Sequence, residues 1–237
     1  MAMEVLQDKL QIRRARHELI KKGVSFIDPP LLSLMRKFGL LPGITIGDIV
    51  KSWDVLSTLD FLEGHVQQDE PILDIGCYAS EVIVALHRLG YSDLTGIDIN
   101  AGIYKMPHYP CIRYEIADFL NTGFPDAHFR AITAISVIEH GFNSQLLLKE
   151  LSRLLKPNGY FIASFDYWPQ KIDTRGINLF GMEWKIFSKD EIVDFIREAA
   201  DCGLFPVAKM EYEAKIRPIR HKGKQYTFAW LALKKSA

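Results

Sequence analysis

Cysteine, long apolar runs and an excess of charge are what this sequence lacks. Its 237 residues include three cysteines, Cys77, Cys111 and Cys202, irregularly spaced and with no CxxC pair. Such a set argues against a disulfide framework or a cysteine-based zinc site and fits a reducing, cytoplasmic setting. Lys+Arg and Asp+Glu number 29 each, so no overall basic field exists to hold nucleic acid. The apolar runs fall far short of a membrane span. The opening Met1-Ala2-Met3-Glu4 has no basic stretch leading into an apolar one, so no signal peptide is expected. Internal repeats and low-complexity tracts are missing too. No His, Asp or Glu cluster has ligand-like spacing, so no metal is expected. What remains is ordinary globular composition, 48% hydrophobic and 24% charged. It suits one large α/β domain, with or without a small appendage.

The first sixty or so residues read as helical. Val5, Ile12 and Leu19 recur at helical spacing among Arg13, Arg14, Arg16, Lys21 and Lys22. Pro29-Pro30 breaks the chain, a short helix is expected over 31–38, stopped by Gly39 and Pro42-Gly43, and another over 46–62. Residues 1–65 are therefore expected to form a helical cap or lid and residues 66–237 the main domain. From Pro71 onward short apolar runs alternate with helical stretches, the mark of βαβ units around a parallel sheet. Strands are expected over 72–75, 94–99, 112–116, 131–137 and 160–165, and helices over 80–89 and 146–155. Ser188 and Glu191 form a capping box that opens a helix closed by Gly203. Residues 207–214 and 227–233 read as two final strands joined by a basic link, 215–224. The expected fold class is α/β: a Rossmann-like doubly wound sheet, mainly parallel with an antiparallel terminal strand, plus the N-terminal helical cap. Right-handed crossovers would line up the loops after the first four strands on one edge, where open α/β sheets bind ligands.

The first of those loops reads Asp74-Ile75-Gly76-Cys77-Tyr78-Ala79-Ser80-Glu81. Glycine at a strand tip permits a sharp turn and close ligand approach, and helix N–H groups then face the ligand. A dinucleotide pyrophosphate wants G-x-G-x-x-G, but Tyr78 stands at the second glycine position and no third glycine follows; no P-loop motif exists either. The loop suits a ligand with an adenosine and no close-packed phosphates. Asp98 ends the second strand about 20 residues beyond the glycine turn, where an acid can bind ribose hydroxyls. Asp118-Phe119 follows the third strand, an acid beside an aromatic that can read an exocyclic amine and cover a base face. Ser136 to Gly141 follows the fourth. Each feature alone is also what a turn or cap would use; their co-location on one edge favours a ligand site.

These residues, in this order, resemble the class I S-adenosylmethionine (SAM)-dependent methyltransferases. Residues 72–77 look like the family's first motif and 96–98 its second-strand acid. Asp118 looks like its adenine-contacting acid, 129–140 its fourth-strand motif, and Leu154-Leu155-Lys156-Pro157-Asn158-Gly159 its turn before strand five. The resemblance covers about 71–165. Lys51-Ser52-Trp53-Asp54 before the core, with Asp166-Tyr167-Trp168 and the 184–188 segment after strand five, is similar to small-molecule methyltransferases of polysaccharide and natural-product pathways. The resemblance implies SAM as cofactor and S-adenosylhomocysteine as product. It places Asp74, Gly76 and Ser136 at the methionine end, Asp98 at the ribose, and Asp118 and Phe119 at adenine, with Ile99 also expected to bind cofactor. The family usually has glycine where Tyr78 and Ser80 stand, and an Asp where Arg130 stands. Tyr78 is either a lid over the methionine end or a residue that narrows the site. Asn158 replaces a glycine and tolerates left-handed backbone.

For an oxygen acceptor, the expected atom, a base helps. His140 at the fourth strand's tip has a suitable ordinary pKa, with Asp166 at the fifth strand's tip as rival; packing against the cofactor is the other reading of His140. Tyr167 and Trp168 read as acceptor-pocket walls or core, Trp184 joins them, and Arg217 in the basic link suits an acidic group on the acceptor or simply faces solvent. The expected partner is a small-molecule acceptor such as a sugar, polysaccharide precursor or natural product, with no nucleic acid and no membrane, in a monomer or homodimer. Two other functions compete: an inactive methyltransferase-like scaffold, and an NAD-dependent dehydrogenase, against which Tyr78 counts.

Overall fold

The computed structural model describes residues 1–41, 43–140 and 143–237. Pro42 and Gly141, expected in a helix stop and a strand-tip loop, lie outside them.

The chain runs β1 (Met3–Val5), α1 (Lys9–Lys21), α2 (Pro30–Lys37), α3 (Ser52–His65), β2 (Ile72–Ile75), α4 (Glu81–Arg88), β3 (Leu94–Asp98), β4 (Ile112–Ile116), β5 (Phe129–Ile135), α5 (Ser144–Leu154) and β6 (Leu155–Tyr167). Then come β7 (Asn178–Leu179), β8 (Met182–Glu183), α6 (Lys189–Asp201), β9 (Leu204–Pro206), β10 (Ile219–His221) and β11 (Lys224–Lys235). The main sheet has the order β1-β11-β6-β5-β2-β3-β4. Strands β4, β3, β2, β5 and β6 are parallel, and β11 runs antiparallel to β6, β1, β9 and β10. The chain builds β2, β3 and β4 outward in one direction and β5 and β6 in the other, so the order reverses between β2 and β5. A doubly wound sheet binds ligands at such a point.

Strand alternation explains the two cores. On one face Ile72, Ala131, Ile162, Phe228, Trp230 and Ala232 pack against α1, α3 and α4. On the other, Leu73, Ile132, Phe161, Phe165 and Leu231 pack against α5 and α6. Strand β2 is buried along its whole length, as a central parallel strand covered on both faces must be. The helix α6 opens with the Ser188–Glu191 capping box expected from sequence.

Three expectations need correction. The N-terminal segment is not wholly helical, because β1 pairs with residues 229–231 at the sheet edge. The expected helix over 46–62 starts late: Asp48 caps a single 3-10 turn over Ile49–Lys51, and the α-helix begins at Ser52. Residues 207–214 are not a strand; β9 ends at Pro206, and beyond it lie a bridge between Met3 and Met210 and a few backbone hydrogen bonds. Within the basic link, β10 forms a hairpin with β11. Asn158 takes a left-handed φ of +61°, as its side chain permits.

Candidate active site at the strand tips

The tip of β2 is built from its smallest residues. Gly76 has φ +67°, and a Cβ there would collide with Val137, so the loops after β2 and β5 touch directly. Gly96 likewise leaves room for the Cys77 side chain, which makes Cys77 a buried packing residue beneath the loop. Asp74 is fully buried and accepts a hydrogen bond from Thr133 Oγ1 at 2.6 Å, while its Oδ2 has no hydrogen-bond partner. Burial raises its pKa to about 6, opposed by Thr133, Ser80 and Cys77. Ser80 caps α4, accepting from the Val82 N–H at 3.2 Å. Its hydroxyl thus has a helix-starting role that glycine lacks.

Asp98 accepts from the Tyr78 N–H at 3.0 Å and the Asn100 N–H at 2.7 Å, which fixes its carboxylate at the end of β3 with lone pairs to spare. The Tyr78 ring lies against Gly102, where a Cβ would sit 2.8 Å from Tyr78 Cε2. Tyr78 therefore flanks the Asp98 side of the site. Ile99 is exposed beside it. Asp118 is exposed and accepts from the Leu120 N–H at 2.9 Å, and Phe119 packs on the core below. Ser136 holds a left-handed φ of +57°, gives its N–H to Ser164 O at 2.9 Å and leaves its hydroxyl without a partner. A non-glycine residue held there is strain of the kind found at functional sites. Gly47, from the N-terminal segment, donates its N–H to Ala79 O at 2.9 Å, so that segment crosses over the β2 loop.

Beyond the β5 and β6 tips lies a second group. Ser164 and Asp166 share a strand face with Phe228 and Trp230, their register partners being Trp230 and Phe228 respectively. Helix α3 covers that face, placing Asp54 there and anchoring Thr58, which accepts from Trp230 Nε1 at 3.0 Å. Asp54, Glu139 and Asp166 are all buried. The Lys51 ammonium lies 3.7 Å from Asp54, 3.8 Å from Asp166 and 3.3 Å above the Phe228 ring centroid. Trp184 Nε1 donates to Asp166 Oδ2 at 2.7 Å. Burial raises the Asp54 pKa to about 7 and that of Glu139 to about 8, with Asp166 adding to the latter and Lys51 opposing both. Burial raises Asp166 as well, against Lys51 and Trp184. His140 moves the other way: burial, then the charges of Lys51 and His221, lower it to about 4. Its Nδ1 is buried without a partner and its ring meets the exposed Phe180 edge-on at 5.4 Å.

The acceptor-side expectations divide. Asp166, His140 and Trp184 converge on this group. Tyr167 does not: it is fully buried in the opposite core and donates its hydroxyl to Tyr212 O at 2.8 Å, because strand alternation sends it to the face away from Asp166. Trp168 returns to the α3 face, and the exposed Arg217 lies over its ring at 4.3 Å. Sequence reasoning missed Lys51, Asp54 and Glu139 as site residues. The available signal was a Lys and an Asp three apart around the start of α3, and a Glu-His pair shortly after an apolar strand.

The doubly wound sheet has the Rossmann-like fold of solved SAM-dependent methyltransferases. Residues 73–163 match the family model described as a methyltransferase domain. A sterol 24-C-methyltransferase of Gibberella zeae is 31% identical over 98 residues, 38% of this chain and 26% of that protein. Cycloartenol-C-24-methyltransferase of Arabidopsis thaliana is 28% identical over 115 residues, 43% of this chain and 33% of that protein. The chain thus spans about a quarter to a third of the length of these curated relatives. Among solved structures, the [4+2]-cyclase SpnF covers 99% of this chain and 100% of its own, with a TM-score of 0.61 and 12% identity. Geranyl diphosphate C-methyltransferase from Streptomyces coelicolor, solved with S-adenosylhomocysteine, covers 76% and 78% with a TM-score of 0.58 and 19% identity. No helix among the described residues is long and apolar enough to cross a membrane.

Proposed function

We propose that the protein transfers a methyl group from SAM to a small-molecule acceptor. The observation that carries this reading is the meeting of the β2 and β5 tips at the switch point, where Asp74 Oδ2 and the Ser136 hydroxyl are left without partners inside a methyltransferase domain. These groups fit the polar amino-acid end of SAM, and Asp98 fits its ribose. Bound SAM supplies an electrophilic methyl group on a sulfonium. The chain's own task is to align the acceptor and take its proton. His140 is in its base form at neutral pH but its lowered pKa makes it a weak base, and Glu139, held protonated by burial, takes the acceptor's proton only after losing its own; Asp166 is the rival carboxylate. Residues 1–65 act as the cap, through the strand-tip crossing at Gly47 and the contribution of Lys51 and Asp54. A reducing, cytoplasmic location fits three free thiols, and a monomer or homodimer suits a small-molecule enzyme.

The cyclase neighbour favours one alternative: the same fold running chemistry other than methyl transfer. Calorimetric titration with S-adenosylhomocysteine, with NAD in parallel, tests the reading. Micromolar binding of the former and none of the latter is expected. Asp98→Ala should weaken it about tenfold or more, the worth of hydrogen bonds to a charged group. Unchanged affinity in that variant would count against the assignment, and production of S-adenosylhomocysteine with an acceptor separates transfer from the cyclase-like alternative.

A further inference from the structure

Charge around Lys51 does not balance. Three carboxyl groups, Asp54, Glu139 and Asp166, face one ammonium. The remaining polar groups turned toward them are His140 from the β5 tip, His221 from β10, Tyr226 from β11, Trp184 and Ser164. None of these adds a fixed positive charge from the interior: burial keeps His140 neutral, and His221 is exposed on the rim. Two further observations point to a missing occupant. Glu139 Oε2 and Ser164 Oγ are buried and without hydrogen-bond partners, on residues 1% and 0% exposed. Lys51 itself shows what the group can hold, since its ammonium sits on an aromatic face between two carboxylates, neither within hydrogen-bond distance.

Resting on the methyltransferase reading, we propose that the acceptor is an amine, bound as its ammonium ion among Asp54, Glu139 and Asp166 beside the Phe228 and Trp184 rings, with methyl transfer to nitrogen. An organic cation fits better than a metal ion, because among the described residues no three His, Cys, Asp or Glu side chains converge as metal ligands. A neutral hydroxyl acceptor gives these carboxyl groups no reason to ionise, whereas a cation does. In the free protein, Glu139 and Asp54 hold protons. An entering ammonium displaces such a proton to solvent and leaves a carboxylate beside the nitrogen. One N–H proton then passes to that carboxylate. The nitrogen lone pair forms the bond to the methyl carbon as the carbon–sulfur bond breaks, its electron pair stays on sulfur, and S-adenosylhomocysteine leaves. The carboxyl returns its proton to water.

Benzylamine and benzyl alcohol, matched in shape and differing in charge, test this by calorimetry on the full chain, with and without saturating S-adenosylhomocysteine. Benzylamine is expected to bind about tenfold or more tightly than the alcohol. Glu139→Gln and Asp166→Asn should each reduce that preference while leaving S-adenosylhomocysteine affinity intact, a split that general structural damage would not produce. Equal binding of the two probes, or no saturable benzylamine binding, overturns the proposal; so does a preference that survives in both variants. If neither variant folds, the comparison on the parent protein decides alone. Failure of S-adenosylhomocysteine to bind, with the benzylamine preference present, would remove the methyltransferase reading and leave a cation site.

Discussion

Glu139 holds a proton at neutral pH because burial penalises its carboxylate and the nearby Asp166 adds a like charge. Its pKa rises from 4.5 to about 8. Between those values the unfolded chain has released the proton and the folded chain has not, so the folded state binds more protons. Stability therefore falls as pH rises across the window. Asp54, raised to about 7, and Asp166, also raised, act with the same sign. Glu139→Gln keeps the size and removes the titration. Its melting temperature relative to the parent should climb steadily from about pH 5 to about pH 8; parallel curves would show that Glu139 ionises freely. At this scale the strand-tip residues proposed to hold the cofactor were legible and the group around Lys51 was not. Asp74, Gly76, Asp98 and Ser136 sit at strand ends that glycine and apolar runs announce. Lys51 and Asp54 reach the site from the 3-10 turn and the first turn of α3, more than 80 residues away in sequence from Glu139, and no local pattern encodes that approach.

Helices α1 and α4 are tied by one buried ion pair. Arg16 Nη1 and Nη2 donate to Glu81 Oε1 and Oε2 at 2.8 and 2.7 Å, and Arg16 also reaches Ser52 and Ser25. Glu81 accepts the Phe26 N–H as well, and its side chain is 1% exposed. Removing the arginine strands a buried carboxylate, which costs on the order of 3 kcal/mol or more. Arg16→Ala should lower unfolding free energy by about that amount in a denaturant titration, and adding Glu81→Gln should restore part of it. A single-variant loss of only a few tenths would mean the pair is wet. Arg13, Arg14 and Lys21 of α1 are exposed, whereas the helix turns Arg16 inward onto α4. Elements from Pro71 onward were easier to read, being punctuated by glycine and proline and given a clear period. The short β1 was not, since three residues carry no period and their partners, 229–231, lie at the other end of the chain. The span 207–214 failed for a related reason: β1 already occupies the adjoining stretch of the β11 edge, so apolar residues there find little pairing.

At the scale of the molecule, the question is whether residues 1–65 form a detachable cap. Their buried side chains, including Leu6, Ile12, Leu19, Trp53, Leu59 and Leu62, belong to one cluster with Ile72, Ile162, Phe228 and Trp230. Strand β1 covers the β11 edge, Leu6 donates its N–H to Phe228 O at 2.9 Å, and Thr227 donates to Leu6 O. Deleting the segment would uncover one face of the sheet and leave β11 unpaired along much of one edge, a template for aggregation. It would also remove Lys51 and Asp54 from beside Asp166. Residues 66–237 alone are therefore expected to melt without a cooperative transition and to bind S-adenosylhomocysteine poorly, measured by calorimetry against the full chain. Deleting only 1–7 separates the two causes. That variant keeps α1, α3 and the Gly47 crossing over the β2 loop, so it should retain cofactor binding while melting at a lower temperature. A cooperative transition in 66–237 with unchanged affinity would instead make the segment a true lid, and the parallel core would then hold the cofactor unaided.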